Sequence, residues 1–334
     1  MGVAGLNIAN GATVAVASSD GKFYPVTGAN EAYGSPVEAL TSATPIMVPN
    51  IAYDTVNNKV IVAMQGHSDD DGRVAVGTVS GTTISWGTTV KYNGTTNARP
   101  TSVCYDSTNE KVVVVFREDS GQLWSIVGTV SGTSISFGTK VSVDTNTNYW
   151  PACAFDSTTG KVIITYRRQS TDYGAARVGT VSGNSISWGS EVLWTNTPVT
   201  QSEVVCHDGY CVAVSDDHIT VGQISGTSIT FGTMATIPDF ATGDATNVAV
   251  DPNTGIFVIQ AQRTASNLVA AIPATRSGTT LTFGTYKQLT SSSPSNNQTL
   301  CWAGGENKFF ASFSSGSNGG DGMQSISIQV NGSG

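Results

Sequence analysis

Charge is scarce in this sequence: only 12% of its 334 residues are Asp, Glu, Lys or Arg, and the net charge is −8. A general nucleic-acid binder needs a basic face that displaces counterions, so we expect no nucleic-acid partner. No run of about 18 apolar residues is present, so we expect no membrane insertion. The N-terminal residues also lack the basic start and apolar core of a signal peptide, and we expect no such peptide.

Histidine and cysteine are also scarce. The three histidines form no His-x-x-x-His pair, and no Cys-x-x-Cys occurs, so a zinc site is not predicted. The acidic run 69–71 lacks the alternating spacing and distal Glu of a calcium loop, so we predict neither a metal nor a cofactor. Five cysteines, an odd number, argue against a disulfide framework. Cys206 and Cys211 flank a short turn, and the sequence leaves open whether they pair across a hairpin or remain two core thiols.

The chain has, instead, 37 glycines and an internal repeat. The clearest copy of the repeat reads Val-Gly-Thr-Val-Ser-Gly-Thr-Ser-Ile-Ser-Phe-Gly and ends at Gly138. Its Ser-Gly turn and aromatic-Gly pair return about every 50 residues, which is the period of a β-propeller blade with four strand-like segments. The aromatic positions, including a degenerate first copy, are Tyr33, Trp86, Phe137, Trp188, Phe231 and Phe283.

One repeat unit can be divided into four strands. The inner strand is predicted at 101–106, the second at 111–116, the third at 123–130 and the outer at 134–143. The second strand is a valine run that we expect to be buried on both faces. In the outer strand Ile135 and Phe137 alternate with serines, so one side should pack on the neighbouring blade while the other stays polar.

The number of repeats predicts an all-β chain that forms a single domain over residues 1–334, a β-propeller of about seven blades. Six turn motifs are followed by three more strand-like segments, at 298–302, 308–313 and 323–330. Six blades with a terminal cap is the alternative. We expect the two chain termini to close the ring, with segments 4–8 and 14–18 covering the sheet edge that would otherwise be exposed.

The Val-Ser-Gly-Thr-Ser-Ile-Ser-Phe-Gly units are similar to repeats in virion and tail-associated proteins of tailed phages, particularly marine phages, over about residues 27–284 and the partial blade that follows. This resemblance implies a propeller displayed in multiple copies on a virus particle, with other virion proteins and a host-surface glycan as partners. A more distant similarity is to sialidase-type propellers, whose hairpins carry a Ser-x-Asp-x-Gly-x-x-Trp box. The Asp is missing from the hairpins that end at Trp86 and Trp188.

Charged residues concentrate in the turns between second and third strands and between blades, which are predicted to share one face around the central channel. The Ser-Gly hairpins should lie on the other face. Tyr149 and Trp150 precede Pro151 in one of the turns between blades, where a tryptophan is suited to stacking on a sugar ring; alternatively, Trp150 plugs the junction between two blades. The candidate ligand-binding residues are Arg99, Arg117, Asp119, Tyr149, Trp150, Arg167, Arg168, Asp217 and His218.

Catalysis is not predicted. A sialidase-like site requires three arginines on a carboxylate, an acidic proton donor and a Tyr with a Glu partner, and no Tyr–Glu pair can be assigned from the sequence. Serine-hydrolase elbows and phosphate loops are also missing. The leading function is therefore a non-enzymatic virion protein, associated with a tail or fibre, that binds a host glycan. The alternatives are a structural virion component, such as a capsid decoration or tail platform, and a sialidase-like glycosidase.

Overall fold

A computed structural model describes residues 12–17, 22–27, 39, 47–65, 71–81, 83–93, 97–240, 246–266, 268–290, 298–304, 307–314 and 323–330. The regular secondary structure within these ranges is entirely β-strand, as the sequence predicts. No helix in the described part of the chain is long and apolar enough to cross a membrane.

The strands form one two-stranded sheet and six larger sheets, which we call blades 1 to 6 in chain order. The two-stranded sheet pairs β1 (Ala12–Ala17) with β2 (Lys22–Thr27). Blade 1 contains β3 (Met47–Asp54), β4 (Lys59–Gln65), β5 (Gly72–Ser80), β6 (Thr83–Trp86) and β7 (Val90–Lys91). Blade 2 contains β8 (Ala98–Asp106), β9 (Lys111–Glu118), β10 (Leu123–Ser131), β11 (Ser134–Phe137) and β12 (Val141–Asp144). Blade 3 contains β13 (Asn148–Asp156), β14 (Lys161–Arg168), β15 (Tyr173–Ser182), β16 (Ser185–Trp188) and β17 (Val192–Pro198).

The remaining blades follow the same order. Blade 4 contains β18 (Glu203–His207), β19 (Tyr210–Ser215), β20 (His218–Ser225), β21 (Ser228–Phe231) and β22 (Ala235–Thr236). Blade 5 contains β23 (Asn247–Val250), β24 (Phe257–Gln262), β25 (Val269–Ser277), β26 (Thr280–Phe283) and β27 (Lys287–Gln288). Blade 6 has three strands in the described residues, β28 (Gln298–Ala303), β29 (Lys308–Ser314) and β30 (Met323–Ile328).

The six blades are arranged around a central channel. Each inner strand packs on the next, from β3 through β8, β13, β18 and β23 to β28. Residues of all six inner strands line one cavity of about 300 Å³. The protein is therefore a β-propeller, and the described residues form six blades, the alternative rather than the leading prediction.

The predicted seventh blade and the predicted closure of the ring involve the start of the chain. Within the described residues of this region, β1 and β2 pair with each other. The degenerate repeat after Thr27 and residues 1–10 lie outside the described residues. Closure by the termini therefore stays a prediction.

The second strand of each blade forms the core on both of its faces, as β9 illustrates. Val112, Val114 and Phe116 belong to the apolar cluster shared with blade 1. Val113 and Val115 belong to the cluster shared with blade 3. All five side chains are fully buried. The valine run is thus buried on both faces, as predicted, because each face of a blade contacts a different neighbour.

The repeated hairpin is a two-residue turn. Ser131 pairs with Ser134, and Gly132 between them has φ +60°. Glycine at the first central position suits a turn whose twist matches the flanking strands. Trp86, Phe137 and Trp188 end the equivalent fourth strands of blades 1, 2 and 3, as predicted.

The outer strand is not continuous, and here the sequence prediction was wrong. It divides into β11 and β12, which both pair with β10. The division occurs after Gly138, whose amide donates to the Val127 carbonyl oxygen at 2.9 Å. A β-carbon at Gly138 would lie 2.0 Å from the backbone carbonyl oxygen of Asn184 in the next blade. The aromatic-Gly pair therefore marks the place where the hairpin of one blade packs directly on the backbone of its neighbour.

Blade 4 contains a disulfide between Cys206 and Cys211, which resolves the alternative left open by the sequence. The two cysteines are directly opposite each other in β18 and β19. Between them, Asp208 and Gly209 both have positive φ and form a tight turn. The thiols of Cys104, Cys153 and Cys301 are free and buried.

We expect a thiol titration of the unfolded, unreduced protein to give three reactive thiols, since three cysteines are free. The double variant Cys206→Ala/Cys211→Val introduces residues found at equivalent positions of other blades, Ala154 and Val113. It should fold and lose about 2 kcal/mol of stability, the chain-entropy value for so short a loop. Five reactive thiols without reductant would contradict the assignment.

Candidate ligand face at the start of the inner strands

The candidate site lies where the inner strands begin, and three of these strands have a bulge there. The register of β13 with β14 shifts between Tyr149 and Ala152. Equivalent shifts occur in β3 and in β8. A proline occurs at each shift (Pro49, Pro100 and Pro151), and proline is suited to a bulge because it has no N–H to donate. Bulges change the direction of a side chain and are frequent beside binding sites.

Trp150 lies in the bulge of β13 with unusual geometry. Its φ is +52°, a left-handed conformation that is a genuine outlier for a bulky residue. Its carbonyl oxygen accepts a hydrogen bond from Ser202 Oγ of blade 4 at 3.1 Å. Its side chain is nevertheless 37% exposed. Trp150 is therefore not fully buried as a plug between blades would be, and it has a backbone conformation that is costly to maintain.

Tyr149 organises two arginines from neighbouring blades. The Arg117 guanidinium carbon lies 4.5 Å from the centroid of the Tyr149 ring. Arg167, directly opposite Tyr149 in the sheet, lies 5.2 Å from the same centroid. Such contacts contribute about 0.5–1 kcal/mol each at exposed sites. Since two guanidinium groups cover the Tyr149 ring, Trp150 is the more open aromatic surface of the pair.

Carboxylates partner two of the three arginines in this cluster. Asp119 Oδ1 lies 3.6 Å from Arg99 Nε, and Asn97 donates to the other oxygen of Asp119. Asp172 Oδ1 lies 2.9 Å from both Nε and Nη2 of Arg167. Within the described residues Arg117 has no carboxylate partner, and its buried Nε has no hydrogen-bond partner. Five of the predicted site residues are thus brought together: Arg99, Arg117, Asp119, Tyr149 and Arg167.

Arg168 belongs to a different, partly buried network. It lies 3.4 Å from Glu191, which accepts a 2.6 Å hydrogen bond from the Tyr166 hydroxyl. Arg177 bridges this tyrosine to Asp144. A Tyr–Glu pair therefore exists, contrary to the sequence interpretation. Tyr166 is fully buried, and burial together with Glu191 raises the pKa of its hydroxyl, so the pair is unsuited to act as an exposed nucleophile.

Asp217 and His218 form a separate pair in blade 4. His218 Nδ1 lies 3.0 Å from Asp217 Oδ1. The preceding residue, Asp216, has φ +54° and accepts hydrogen bonds from the amide and hydroxyl of Thr200. The connection between β19 and β20 is nearly direct, since Ser215 pairs with His218.

The central cavity lies toward the other end of the channel. Its lining comes mainly from the later part of the inner strands and the turns that follow, for example Thr55, Ser107 and Ser157. None of the nine predicted site residues lines it. The predicted arginines lie instead where the inner strands begin.

Among the cavity residues that were not predicted as site residues are one acidic residue, Glu203, and one histidine, His207. Burial raises the pKa of the Glu203 carboxyl. Both residues are in β18, but neither has a neighbouring motif that would distinguish it from an ordinary strand residue. Within the described part of the chain, no three His, Cys, Asp or Glu side chains are grouped closely enough to hold a metal ion.

No protein-family model and no curated protein matches the sequence. Among solved structures, the periplasmic gluconolactonase PpgL of Pseudomonas aeruginosa is similar with a TM-score of 0.64 and 10% identity, covering 95% of this chain and 96% of that one. A functionally unknown protein from Desulfotomaculum acetoxidans has a TM-score of 0.64 and 8% identity, covering 96% and 100%. The Aleuria aurantia lectin in complex with Fucα1-6GlcNAc has a TM-score of 0.55 and 13% identity, covering 84% and 96%. At these identities the likenesses establish that the chain has a propeller fold.

Proposed function

We propose that this protein is a non-enzymatic β-propeller that binds a carbohydrate through the face carrying Trp150. The observation that carries the proposal is the exposure of Trp150 in a left-handed bulge. A strained, exposed aromatic that is fixed by its surroundings is a common feature of binding sites. An indole ring offers a flat apolar surface for the C–H face of a sugar, and the arginines beside it offer hydrogen-bond donors for hydroxyl groups.

The fold is compatible with more than one function, so the site must decide between them. The lectin neighbour shows that a propeller of similar shape holds a fucosylated disaccharide, whereas the gluconolactonase neighbour is an enzyme. Here the two aspartates of the cluster, Asp119 and Asp172, are each paired with an arginine. Carboxylates that are engaged by arginines support a positioning role better than proton donation.

The biological setting that we propose is the surface of a virus particle, where the ligand would be a glycan of the host cell. The support is the hairpin repeat, which is similar to repeats of virion and tail-associated phage proteins. The ring presents its variable turns on one face and its near-identical Ser-Gly hairpins on the other. This asymmetry suits a component that attaches to other virion proteins by one face and meets the cell by the other.

The proposal is tested by screening the purified protein against an array of microbial surface glycans and then titrating the hits by calorimetry. We expect at least one glycan to bind with a micromolar to millimolar Kd, as is usual for a single shallow sugar site. The protein should release no reducing sugar from that glycan. Binding to none of the glycans would favour a structural virion component, and turnover of a bound glycan would favour the enzyme alternative.

A further inference from the structure

We infer that the ligand of the Trp150 face carries an anionic group, a carboxylate or a sulfate, which the Arg117 guanidinium recognises. The inference rests on the proposed function and specifies its substrate class: an acidic rather than a neutral glycan. It is carried by the contrast between Arg117 and the two arginines beside it.

Arg117 differs from Arg99 and Arg167 in its partners. Arg99 and Arg167 each have an aspartate within ion-pair distance. Arg117 has the Tyr149 ring at 4.5 Å and, among the described residues, no carboxylate. Its Nε is buried without a hydrogen-bond partner, although the side chain as a whole is partly exposed. Because no carboxylate of the described residues engages it, the Arg117 guanidinium can pair with an anionic ligand without first breaking an ion pair.

The charge of the cluster favours an anion. Arg99, Arg117 and Arg167 are balanced by Asp119 and Asp172, which leaves one positive charge on a protein whose net charge is −8. The Asp119 oxygens are engaged by Arg99 and Asn97, which reduces their repulsion of an incoming anion. A guanidinium presents a planar fork that matches carboxylate and sulfate oxygens, and stacking on Tyr149 fixes its plane.

The chain contains a matched control for this arginine. The Arg263 guanidinium carbon lies 4.0 Å from the centroid of the Tyr286 ring in blade 5, and its buried Nε also has no partner within the described residues. Arg117→Gln and Arg263→Gln therefore remove the same charge and the same type of stacking contact. Only Arg117→Gln makes this change next to the segment that carries Trp150. A difference in ligand affinity between the two variants is therefore due to local recognition by Arg117 rather than to the net charge of the protein.

The experiment compares pairs of probes that differ in the anionic group alone. Oligogalacturonate and its methyl ester test a carboxylate, and a sulfated galactan and its desulfated form test a sulfate. We expect the acidic member of one pair to bind the wild-type protein at least tenfold more tightly at low salt, and the difference to shrink as salt is added. Arg117→Gln should abolish the difference, because the acidic member should lose about tenfold more affinity than the neutral member. Arg263→Gln should behave as wild type.

Each outcome has a distinct meaning. One outcome is that the acidic and neutral probes bind equally, that Trp150→Ala loses this binding and that Arg117→Gln does not. This outcome overturns the inference that the ligand is anionic and leaves the proposed function intact. Loss of preference in both arginine variants overturns local recognition by Arg117. If no probe pair or array glycan binds, the proposed function fails and this inference with it. Because Arg117→Gln loses a stacking contact, Arg117→Lys is included: it keeps the charge and should retain part of the preference, and both variants are checked by thermal melting.

Discussion

Replacing Trp150 should separate binding from stability. We expect Trp150→Ala to weaken glycan binding at least tenfold, since a central aromatic anchor typically contributes about 1–2 kcal/mol or more. Trp150→Gly should weaken binding equally. Glycine, however, adopts a φ of +52° without the penalty of about 1–2 kcal/mol that other residues incur, so the glycine variant should be the more stable of the two by about 1 kcal/mol.

The comparison distinguishes a binding residue from a packing residue. Trp150→Phe keeps an aromatic surface and should retain part of the affinity, whereas Thr133→Ala, on an exposed hairpin of the opposite face, should bind as wild type. Affinity is measured by calorimetry and stability by chemical denaturation. The contrary result has two parts: both the alanine and the glycine variant are strongly destabilised, and the folded fraction of each variant binds the glycan with wild-type affinity. In that case Trp150 is a structural residue and the ligand site lies elsewhere.

Replacing Gly138 by alanine should have the largest effect on stability. The added β-carbon would meet the Asn184 carbonyl oxygen at 2.0 Å, and backbone cannot rotate away as a flexible side chain does. Overpacking of this kind costs about 3 kcal/mol. The outer parts of blades 2 and 3 would have to move apart to accommodate the β-carbon. The variant should therefore unfold at a clearly lower urea concentration than the wild-type protein.

The repeat itself supplies the control for Gly138. Gly284 occupies the same repeat position in blade 5, but there the nearest atom to an added β-carbon is Pro273 Cγ at 2.9 Å. No hairpin of blade 6 is described beside it, since that blade has three strands in the described residues. We expect Gly284→Ala to cost only about 1 kcal/mol, the lower end of the overpacking range, because the added β-carbon meets one ring carbon rather than a backbone carbonyl. If the two substitutions destabilise the protein equally, the contact with the hairpin of the next blade is not the reason that glycine is required at Gly138.

The sequence predicted well those features that each blade repeats for its own internal reasons. The Ser-Gly turn needs a glycine at positive φ, and the buried second strand needs valines on both faces, so both recur where they can be recognised. The split of the outer strand at Gly138 was missed because it depends on the neighbouring blade. The sequence prediction counted the degenerate motif near Tyr33 as part of a blade, whereas the described residues form six blades, the number given as the alternative.

The candidate site was predictable only in part. The sequence predicted that the variable turns share one face. The contacts among five residues from these turns agree with that prediction: Arg99, Arg117, Asp119, Tyr149 and Arg167. The sequence could not show that Tyr149 lies under two arginines, because Arg117 is in another blade, 32 positions before it. Nor could it show the left-handed conformation of Trp150, which is set by the bulge and by Ser202 of the next blade. The Tyr166–Glu191 pair is likewise a contact between distant parts of the chain.

The central claim is that the face carrying Trp150, rather than the central cavity, binds the glycan. It is tested most directly by following the indole N–H signals of the six tryptophans by NMR while the best array glycan is added. We expect the Trp150 signal to shift in proportion to occupancy, while Trp86 and Trp188, in the outer strands of blades 1 and 3, stay in place. Trp302 lines the cavity. A shift of Trp302 with Trp150 unmoved would contradict the account and place the ligand in the channel.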